Sequence, residues 1–156
     1  TSVLRFFTVY GPWGRPDMAL FKFTRAILEG KPIDIYNKGQ MQRDFTYVDD
    51  CIEAMMRLLP LTPSPSHAPN GSPAAPWRVI NIAGGRLVEL DTYIAAIEKA
   101  LGRTALRNEL PMQPGEPQAT LAATEELEKL TGFLPKTSVE DGVRAFVDWY
   151  RAFYQV

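Results

Sequence analysis

Two arginines occupy positions from which a guanidinium can be directed at an anion. Arg15 follows the stiff loop Gly11-Pro12-Trp13-Gly14 just ahead of a predicted helix, and Arg43 lies between a predicted turn and a predicted strand. A guanidinium carries paired N–H donors that match carboxylate and phosphate oxygens. A single arginine is more often a solvated surface charge, so spacing alone leaves both interpretations open.

Residues for hydride and proton transfer are missing from the same sequence. A short-chain dehydrogenase needs a tyrosine four residues before a lysine, whose ammonium lowers the pKa of the phenol. None of the six tyrosines has a lysine at that spacing. Gly11 and Gly14 begin like a dinucleotide-binding loop, but Asp17 takes the third glycine position and two prolines remove backbone donors. We therefore expect no catalytic residue in this chain.

Metal and disulfide chemistry is equally unsupported by the sequence. The chain has one cysteine, Cys51, and one histidine, His67, so we expect neither a metal site nor an internal disulfide. His67 lies in a segment rich in proline and serine, where a solvated side chain is the usual outcome. A single cysteine fits a reducing compartment.

Composition sets the class of protein. With 156 residues, 46% of them hydrophobic, the chain can form one core, and we treat residues 1–156 as one substrate-binding portion. The 17 basic and 18 acidic residues nearly balance, so we expect no nucleic-acid partner and no membrane surface. No apolar run approaches the roughly 20 residues of a membrane span, and the first residues lack a signal-peptide layout. We expect a cytoplasmic protein.

Periodicity predicts short strands alternating with helices. One strand is expected over Leu4–Tyr10, and a helix with Asp17 as its N-cap is expected at about residues 18–29. The next helix is expected to bury an apolar stripe, and residues 60–76 should form a flexible proline-rich loop. That stripe consists of Ile52, Met55, Met56 and Leu59.

The second half of the chain is predicted to continue this pattern. A buried strand at residues 77–83 leads to a helix that ends at Gly102, and an extended stretch covers residues 105–112. A short helix ends at Gly132, and the last helix opens with the capping-box sequence 137–140. That last helix should bury Val139, Val143, Phe146, Val147, Tyr150 and Tyr154.

Several long motifs resemble one enzyme family. These are LRFFTVYGPWGRPDMA at residues 4–19, RDFTYVDD at 43–50, a strand containing Asn81-Ile82, LPMQPGE at 110–116 and a last helix with Trp149-Tyr150. Together they resemble the C-terminal half of the extended short-chain dehydrogenase/reductases that act on nucleotide sugars, most closely the UDP-glucuronate 4-epimerases. The resemblance implies an α/β fold of mixed short strands and helices that lacks most of the Rossmann sheet.

The resemblance also implies a site and a reaction. In this family, NAD removes hydride from C4 of a UDP-sugar and returns it to the opposite face of a 4-keto intermediate. The glycine loop that binds NAD and the catalytic Tyr/Lys pair would lie in an N-terminal half that precedes this chain. The implied UDP-sugar contacts are Thr8 near the sugar carboxylate, Arg15 and Arg43 near sugar and diphosphate, Asp34 and Tyr36 at the uracil, and Gln113 and Glu116 in a closing loop.

Some residues depart from the family pattern, and other functions stay open. Glu116 replaces the usual Asp, and Ala123 stands where Asp is common before the short helix. The alternatives are a UDP-glucose 4-epimerase, a 4,6-dehydratase, a uronate decarboxylase or a non-catalytic binding module. Thr8 favours the uronate, since relatives that epimerise UDP-glucose usually carry Asn there. We expect the chain to be an inactive, marginally stable fragment of a homodimeric parent, with exposed strand edges that promote self-association.

Overall fold

Short strands divided among three small sheets characterise the computed structural model, which describes residues 1–64 and 76–156. The strands are β1 Ser2–Phe6, β2 Thr8–Tyr10, β3 Pro32–Tyr36, β4 Gln42–Tyr47, β5 Arg78–Ile82, β6 Leu87–Glu89, β7 Leu106–Leu110 and β8 Ala119–Thr120. The helices are α1 Ala19–Leu28, α2 Val48–Leu58, α3 Leu90–Leu101, α4 Glu125–Thr131 and α5 Val139–Tyr154. The mixed α/β arrangement is the one that the sequence predicts.

The three sheets are mostly parallel. Strand β1 pairs with β5, and β3 pairs with β7, both in parallel. Strand β4 lies at the centre of the third sheet, parallel to β2 and β8 and antiparallel to β6. Strand β4 therefore brings together segments from four distant parts of the sequence.

The first predicted strand is in fact two strands, so the prediction of one strand over Leu4–Tyr10 is wrong. The chain changes sheets at Phe7, whose N–H donates to the carbonyl of Ile82 at 3.4 Å while its own carbonyl accepts from Val9 at 2.8 Å. Both halves have β-forming side chains, so only their pairing partners reveal the break. As a result, Thr8 begins a new strand beside β4.

Two groups of buried side chains form the interior. The first core lies between α1, α3, α5 and β3, and the second lies between α2, α4 and β5. The least exposed members of the first core are Ile33, Ile35, Tyr93, Ile94, Ile97, Val143, Phe146 and Val147. The second core consists of Cys51, Ala54, Leu58, Ile80, Ile82 and Leu127.

Helix α2 buries a different side from the predicted one. Cys51, Ala54 and Leu58 face the second core, whereas the predicted stripe is exposed, from 36% at Met55 to 74% at Leu59. The small Ala54 has no exposed surface and packs in the second core with side chains of β5 and α4. Because α2 carries two apolar stripes, periodicity alone could not identify the one that packs against this chain.

Some of the helix caps are those that the sequence predicts, and one is not. Gly102 and Gly132 end α3 and α4 in the left-handed conformation, as predicted. Asp17 is not the N-cap of α1; Met18 takes that place without a side-chain cap, because the Asp17 carboxylate binds Arg15 instead. The cap of α5 is Ser138, whose Oγ accepts from the N–H of Asp141 at 3.1 Å.

The remaining predictions have mixed outcomes. Strand β5 and helix α3 lie where expected, but Tyr154 at the end of α5 is 44% exposed rather than buried. Residues 61–64 of the predicted loop have no helix or strand, while residues 65–75, including His67, lie outside the described residues. Within the described ranges, no helix is long and apolar enough to span a membrane.

Candidate ligand-binding site

A cavity of about 630 Å³ lies between α1, β3, β4 and the loop that follows β7. It gathers six of the seven ligand-binding residues predicted from the sequence, although these residues are spread over more than 100 positions of the chain. They are Thr8, Asp34, Tyr36, Arg43, Gln113 and Glu116. A volume of this size is within the usual range for small-molecule sites.

Thr8 marks the junction of this cavity with a second one. The adjoining cavity, of about 480 Å³, is lined by the loop after β2 and by aromatic side chains such as Phe45 and Phe146. Thr8, Met18, Ala19 and Phe45 line both cavities. A hydroxyl donor at Thr8 is therefore available to a ligand that extends from one cavity into the other.

Arg43 fastens the loop after β7 to strand β4. Its Nη1 donates to the carbonyl oxygens of Gln42, Pro117 and Gln118 at 2.9, 3.0 and 3.3 Å. Its Nη2 forms an ion pair with Glu116 at 3.2 Å, and 21% of the side chain is exposed. The guanidinium therefore positions one wall of the cavity through protein oxygens.

The loop that carries Gln113 and Glu116 is exposed and tightly turned. The N–H of Glu116 donates to the carbonyl of Gln113 at 3.3 Å, and Gly115 has a φ of 84°, which favours glycine. Downstream, the Gln118 carbonyl accepts from the N–H of Gln42 at 2.8 Å. Strand β4 therefore holds the end of the loop through the backbone of Gln42 and the side chain of Arg43.

Strand β3 supplies the opposite end of the cavity. Ile33 and Ile35 point into the first core, and the alternation of a strand places Asp34 and Tyr36 on the other face. An Asp34 carboxylate oxygen accepts from the side-chain amide of Asn108 at 2.7 Å, across the register of β3 with β7. The buried side chains of Ile33 and Ile35 thus hold β3 in place, with Asp34 and Tyr36 lining the cavity.

Arg15, the seventh predicted residue, lies outside the larger cavity. It lines the adjoining cavity, and its side chain is 73% exposed. Its Nε and Nη2 donate to the two carboxylate oxygens of Asp17 at 3.1 and 2.9 Å. Asp17 itself lines the larger cavity, so this ion pair stands at the boundary between the two.

Asp44 is a positioning residue that sequence reasoning missed. It has no exposed surface, and its carboxylate accepts from the N–H groups of Gly84, Gly85 and Ala122 at 3.0, 3.0 and 3.2 Å. Burial raises the pKa of Asp44, while these backbone donors act in the opposite direction. Asp44 joins the end of β5 and the segment after β8 to β4, directly beside Arg43. Nothing in its spacing distinguishes it from a solvated aspartate.

Lys22 is the second cavity residue that sequence reasoning missed, although the spacing of residues on α1 indicates its position. It lines the larger cavity from α1, together with Met18 and Ala26. The three residues are spaced i, i+4 and i+8, so they share one helix face. A search for cations on the helix face nearest the predicted loop would have found Lys22.

The pKa values of two buried tyrosines and of the single cysteine do not suit a catalytic role. Burial raises the pKa of Tyr10 and of Tyr93, whereas a catalytic tyrosine base needs a lowered pKa. Burial, aided by Asp50, raises the pKa of the Cys51 thiol to about 12. The described residues also contain no group of three or more histidine, cysteine or acidic side chains that could hold a metal ion.

The sequence is similar to curated proteins along almost its whole length. A probable UDP-glucuronate 4-epimerase of Rhizobium meliloti (strain 1021) is 54% identical, over 99% of this chain and 48% of the relative. An uncharacterized 37.6 kDa protein of Escherichia coli O111:H- is 57% identical, over 98% of this chain and 48% of the relative. The chain therefore spans about half the length of the curated relatives it matches.

Solved structures show the same fold. The UDP-glucuronic acid 4-epimerase of Bacillus cereus, in complex with UDP-glucuronic acid and NAD, superposes with a TM-score of 0.82 and 37% identity. The match covers 98% of this chain and 46% of that protein. The predicted fold class, mixed short strands and helices without a full Rossmann sheet, is thereby confirmed.

Fold and sequence both point to one class of enzyme. The fold is that of a nucleotide-sugar epimerase over about half its length. Residues 1–68 match the model of the NAD dependent epimerase/dehydratase family. This match confirms the family resemblance that the motifs predicted.

Proposed function

We propose that this chain is the UDP-sugar-binding part of a longer NAD-dependent UDP-glucuronate 4-epimerase. The observation that carries the proposal is the single cavity that gathers Thr8, Asp34, Tyr36, Arg43, Gln113 and Glu116. The names of the Rhizobium and Bacillus relatives support the uronate as substrate. The longer protein interconverts UDP-glucuronate and UDP-galacturonate.

The residues of this chain do not fit an NAD site. The sequence has no glycine-rich dinucleotide loop and no Tyr/Lys pair, so the cofactor belongs to a part of the longer protein outside this chain. Bound NAD supplies the hydride chemistry there. The contribution of this chain is to bind and orient the sugar nucleotide.

In this proposal, Thr8 controls the fate of the uronate. A uronate with a carbonyl at C4 is a β-keto acid, which loses carbon dioxide when the breaking C–C bond aligns with the carbonyl π system. The Thr8 hydroxyl, where the two cavities join, would hold the carboxylate out of that alignment. Strand β3 holds the uracil at the other end of the cavity, and Arg43 with Glu116 closes the loop over the nucleotide.

Assembly and location complete the proposal. The longer polypeptide forms a homodimer and works in the cytoplasm. The single cysteine supports the location. A UDP-sugar is the partner, with no nucleic acid and no membrane involved.

The deciding experiment is an assay of the longer polypeptide on UDP-glucuronate. We expect UDP-galacturonate as product. Conversion to UDP-xylose would identify a uronate decarboxylase instead. Conversion of UDP-glucose to UDP-galactose in preference to turnover of UDP-glucuronate would identify a UDP-glucose 4-epimerase, and elimination of water from UDP-glucose would identify a 4,6-dehydratase. Binding of UDP-glucuronate without any turnover would favour a non-catalytic binding module.

A second experiment tests the site in this chain alone. We expect weak UDP binding by calorimetry, weakened about tenfold by Arg43→Ala, because the loop that Arg43 fastens forms one wall of the cavity. Arg57→Ala is the matched control, since Arg57 forms an exposed ion pair with Glu53 on α2 and does not line the cavity. Equal affinities of the Arg43 variant and the unmodified chain would remove Arg43 from the site.

A further inference from the structure

The charged groups that line the larger cavity differ in how far they are already paired. Arg43 and Glu116 form an ion pair with each other, and Asp17 is held by Arg15. Asp34 accepts a hydrogen bond from Asn108. Lys22 is exposed on α1, and among the described residues its ammonium forms no ion pair and no hydrogen bond.

Lys22 occupies the middle of the cavity along the axis of α1. Met18, at the start of the helix, lines both cavities together with Thr8. Ala26 lines only the larger cavity, as do Pro32 and Asp34 of β3. With a rise of about 1.5 Å per residue, Lys22 stands roughly 6 Å from each of these two helix positions.

A UDP-sugar has its negative charge in the same relative place. The diphosphate connects the sugar, assigned above to the Thr8 end, with the uracil, assigned to β3. A ligand laid along α1 therefore brings its diphosphate past the middle of the helix. Because the Arg43 guanidinium is already opposed by Glu116, it cannot alone balance a dianionic group.

We propose that the Lys22 ammonium binds the diphosphate of the UDP-sugar. The inference rests on the proposed function, because it takes the direction of the ligand from the assignment of Thr8 and β3. A lysine acts on phosphate as a mobile point charge, which suits a cavity whose arginine is occupied in holding the wall. Lys22 is thus a binding residue and takes no part in proton or hydride transfer.

The test compares UDP, uridine and UDP-glucuronate on the 156-residue chain by calorimetry. At low salt, Lys22→Gln should weaken UDP about tenfold and leave uridine unchanged, because uridine lacks the charged group. Lys22→Arg should restore most of the loss. Lys99→Gln, the same charge change on α3 outside the cavity, should bind UDP like the unmodified chain.

Salt provides an independent readout. The UDP affinity of the unmodified chain should fall with ionic strength more steeply than that of Lys22→Gln, since an exposed ion pair is screened. A structural defect would instead weaken uridine and UDP equally, and that result would overturn the proposal. So would an unchanged UDP affinity in Lys22→Gln while the unmodified chain binds, a result that leaves the proposed function intact.

Two further outcomes also decide the matter. A loss confined to UDP-glucuronate, with UDP unaffected, would assign Lys22 to the uronate carboxylate and overturn the diphosphate assignment. Failure of the unmodified chain to bind UDP, uridine or UDP-glucuronate would overturn this inference together with the UDP site proposed for the chain.

Discussion

The two cores of this molecule are covered by the rest of the chain to different extents. The first core, with the cavity beside it, is enclosed by three helices and strand β3. The second region, formed by the β1–β5 sheet and α2, buries one side and leaves apolar groups exposed. Val3 and Val79, which are register partners on one sheet face, are 49% and 39% exposed, and Leu59 at the C-cap of α2 is 74% exposed.

This difference separates what the chain stabilises itself from what it leaves to a neighbour. Parallel strands are normally covered on both faces, so an open face on the parallel β1–β5 pair is unusual. Large exposed apolar patches mark contact surfaces. Because the chain spans about half the length of its curated relatives, we expect the longer polypeptide to cover this second region. The ligand cavity depends on the first region.

The difference in packing between the two regions is tested most directly by truncating one apolar side chain in each region. Phe146→Ala in the first core should cost about 3–5 kcal/mol of unfolding free energy, since Phe146 is 1% exposed and packs against Phe21 and Tyr150. Met56→Ala on α2 should change it by no more than about 0.5 kcal/mol, since Met56 is 60% exposed. Urea unfolding measures both. Similar losses in the two variants would show that the regions are equally packed.

Asp44 connects the two regions, because it joins β4 to the end of β5. Asp44→Asn places an amide donor where the carboxylate accepts N–H groups from Gly84, Gly85 and Ala122. We expect a loss of about 1–3 kcal/mol, because at least one buried N–H then lacks an acceptor. The same urea unfolding experiment provides the value. Asp49→Asn, on an exposed residue of α2, is the control, and an equally small effect of both would contradict the positioning role.

Self-association should arise chiefly from the second region. Leu59→Glu, which puts a charge on the exposed stripe of α2, should weaken any self-association about tenfold or more, with little change in unfolding free energy. Sedimentation velocity over a range of concentrations measures the effect. If the unmodified chain is a monomer that melts cooperatively, the second region needs no cover and the expected marginal stability is wrong.

Alkaline pH should affect the second core through Cys51. Its pKa is raised by burial to about 12, above the ordinary value of about 8.5. The resulting stabilisation is complete below pH of about 8.5 and is lost as the pH rises toward about 12. The unfolding free energy of Cys51→Ser, measured by urea titration at several pH values, should therefore depend less steeply on pH in that window. Parallel curves for the two proteins would contradict the buried environment of the thiol.

Periodicity and turn residues predicted the elements whose signals are local. The apolar face of α3, the glycine ends of α3 and α4 and the strand β5 all follow from neighbouring residues. The break between β1 and β2 does not, because it depends on which distant strand each half meets. The buried side of α2 could not be predicted for the same reason, since β5 and α4 determine which of its two apolar stripes is buried.

The cavity was predictable chiefly through resemblance. Motif positions identified Thr8, Asp34, Tyr36, Arg43, Gln113 and Glu116, which no spacing rule would link across the chain. What these residues contact was not predictable. The pairing of Arg15 with Asp17 and the use of Arg43 to fasten residues 116–118 depend on side-chain geometry. The burial of Asp44 depends on segments about 40 and 78 residues away.

The most direct test of the central claim is a UDP titration of the isotope-labelled chain followed by backbone amide chemical shifts. The account predicts saturable changes at Thr8, Lys22, Asp34 and Tyr36, with Val79 and Leu59 unaffected. Changes confined to the β1–β5 sheet and α2, or none around the cavity at the highest UDP concentration, would contradict a UDP site in the first region.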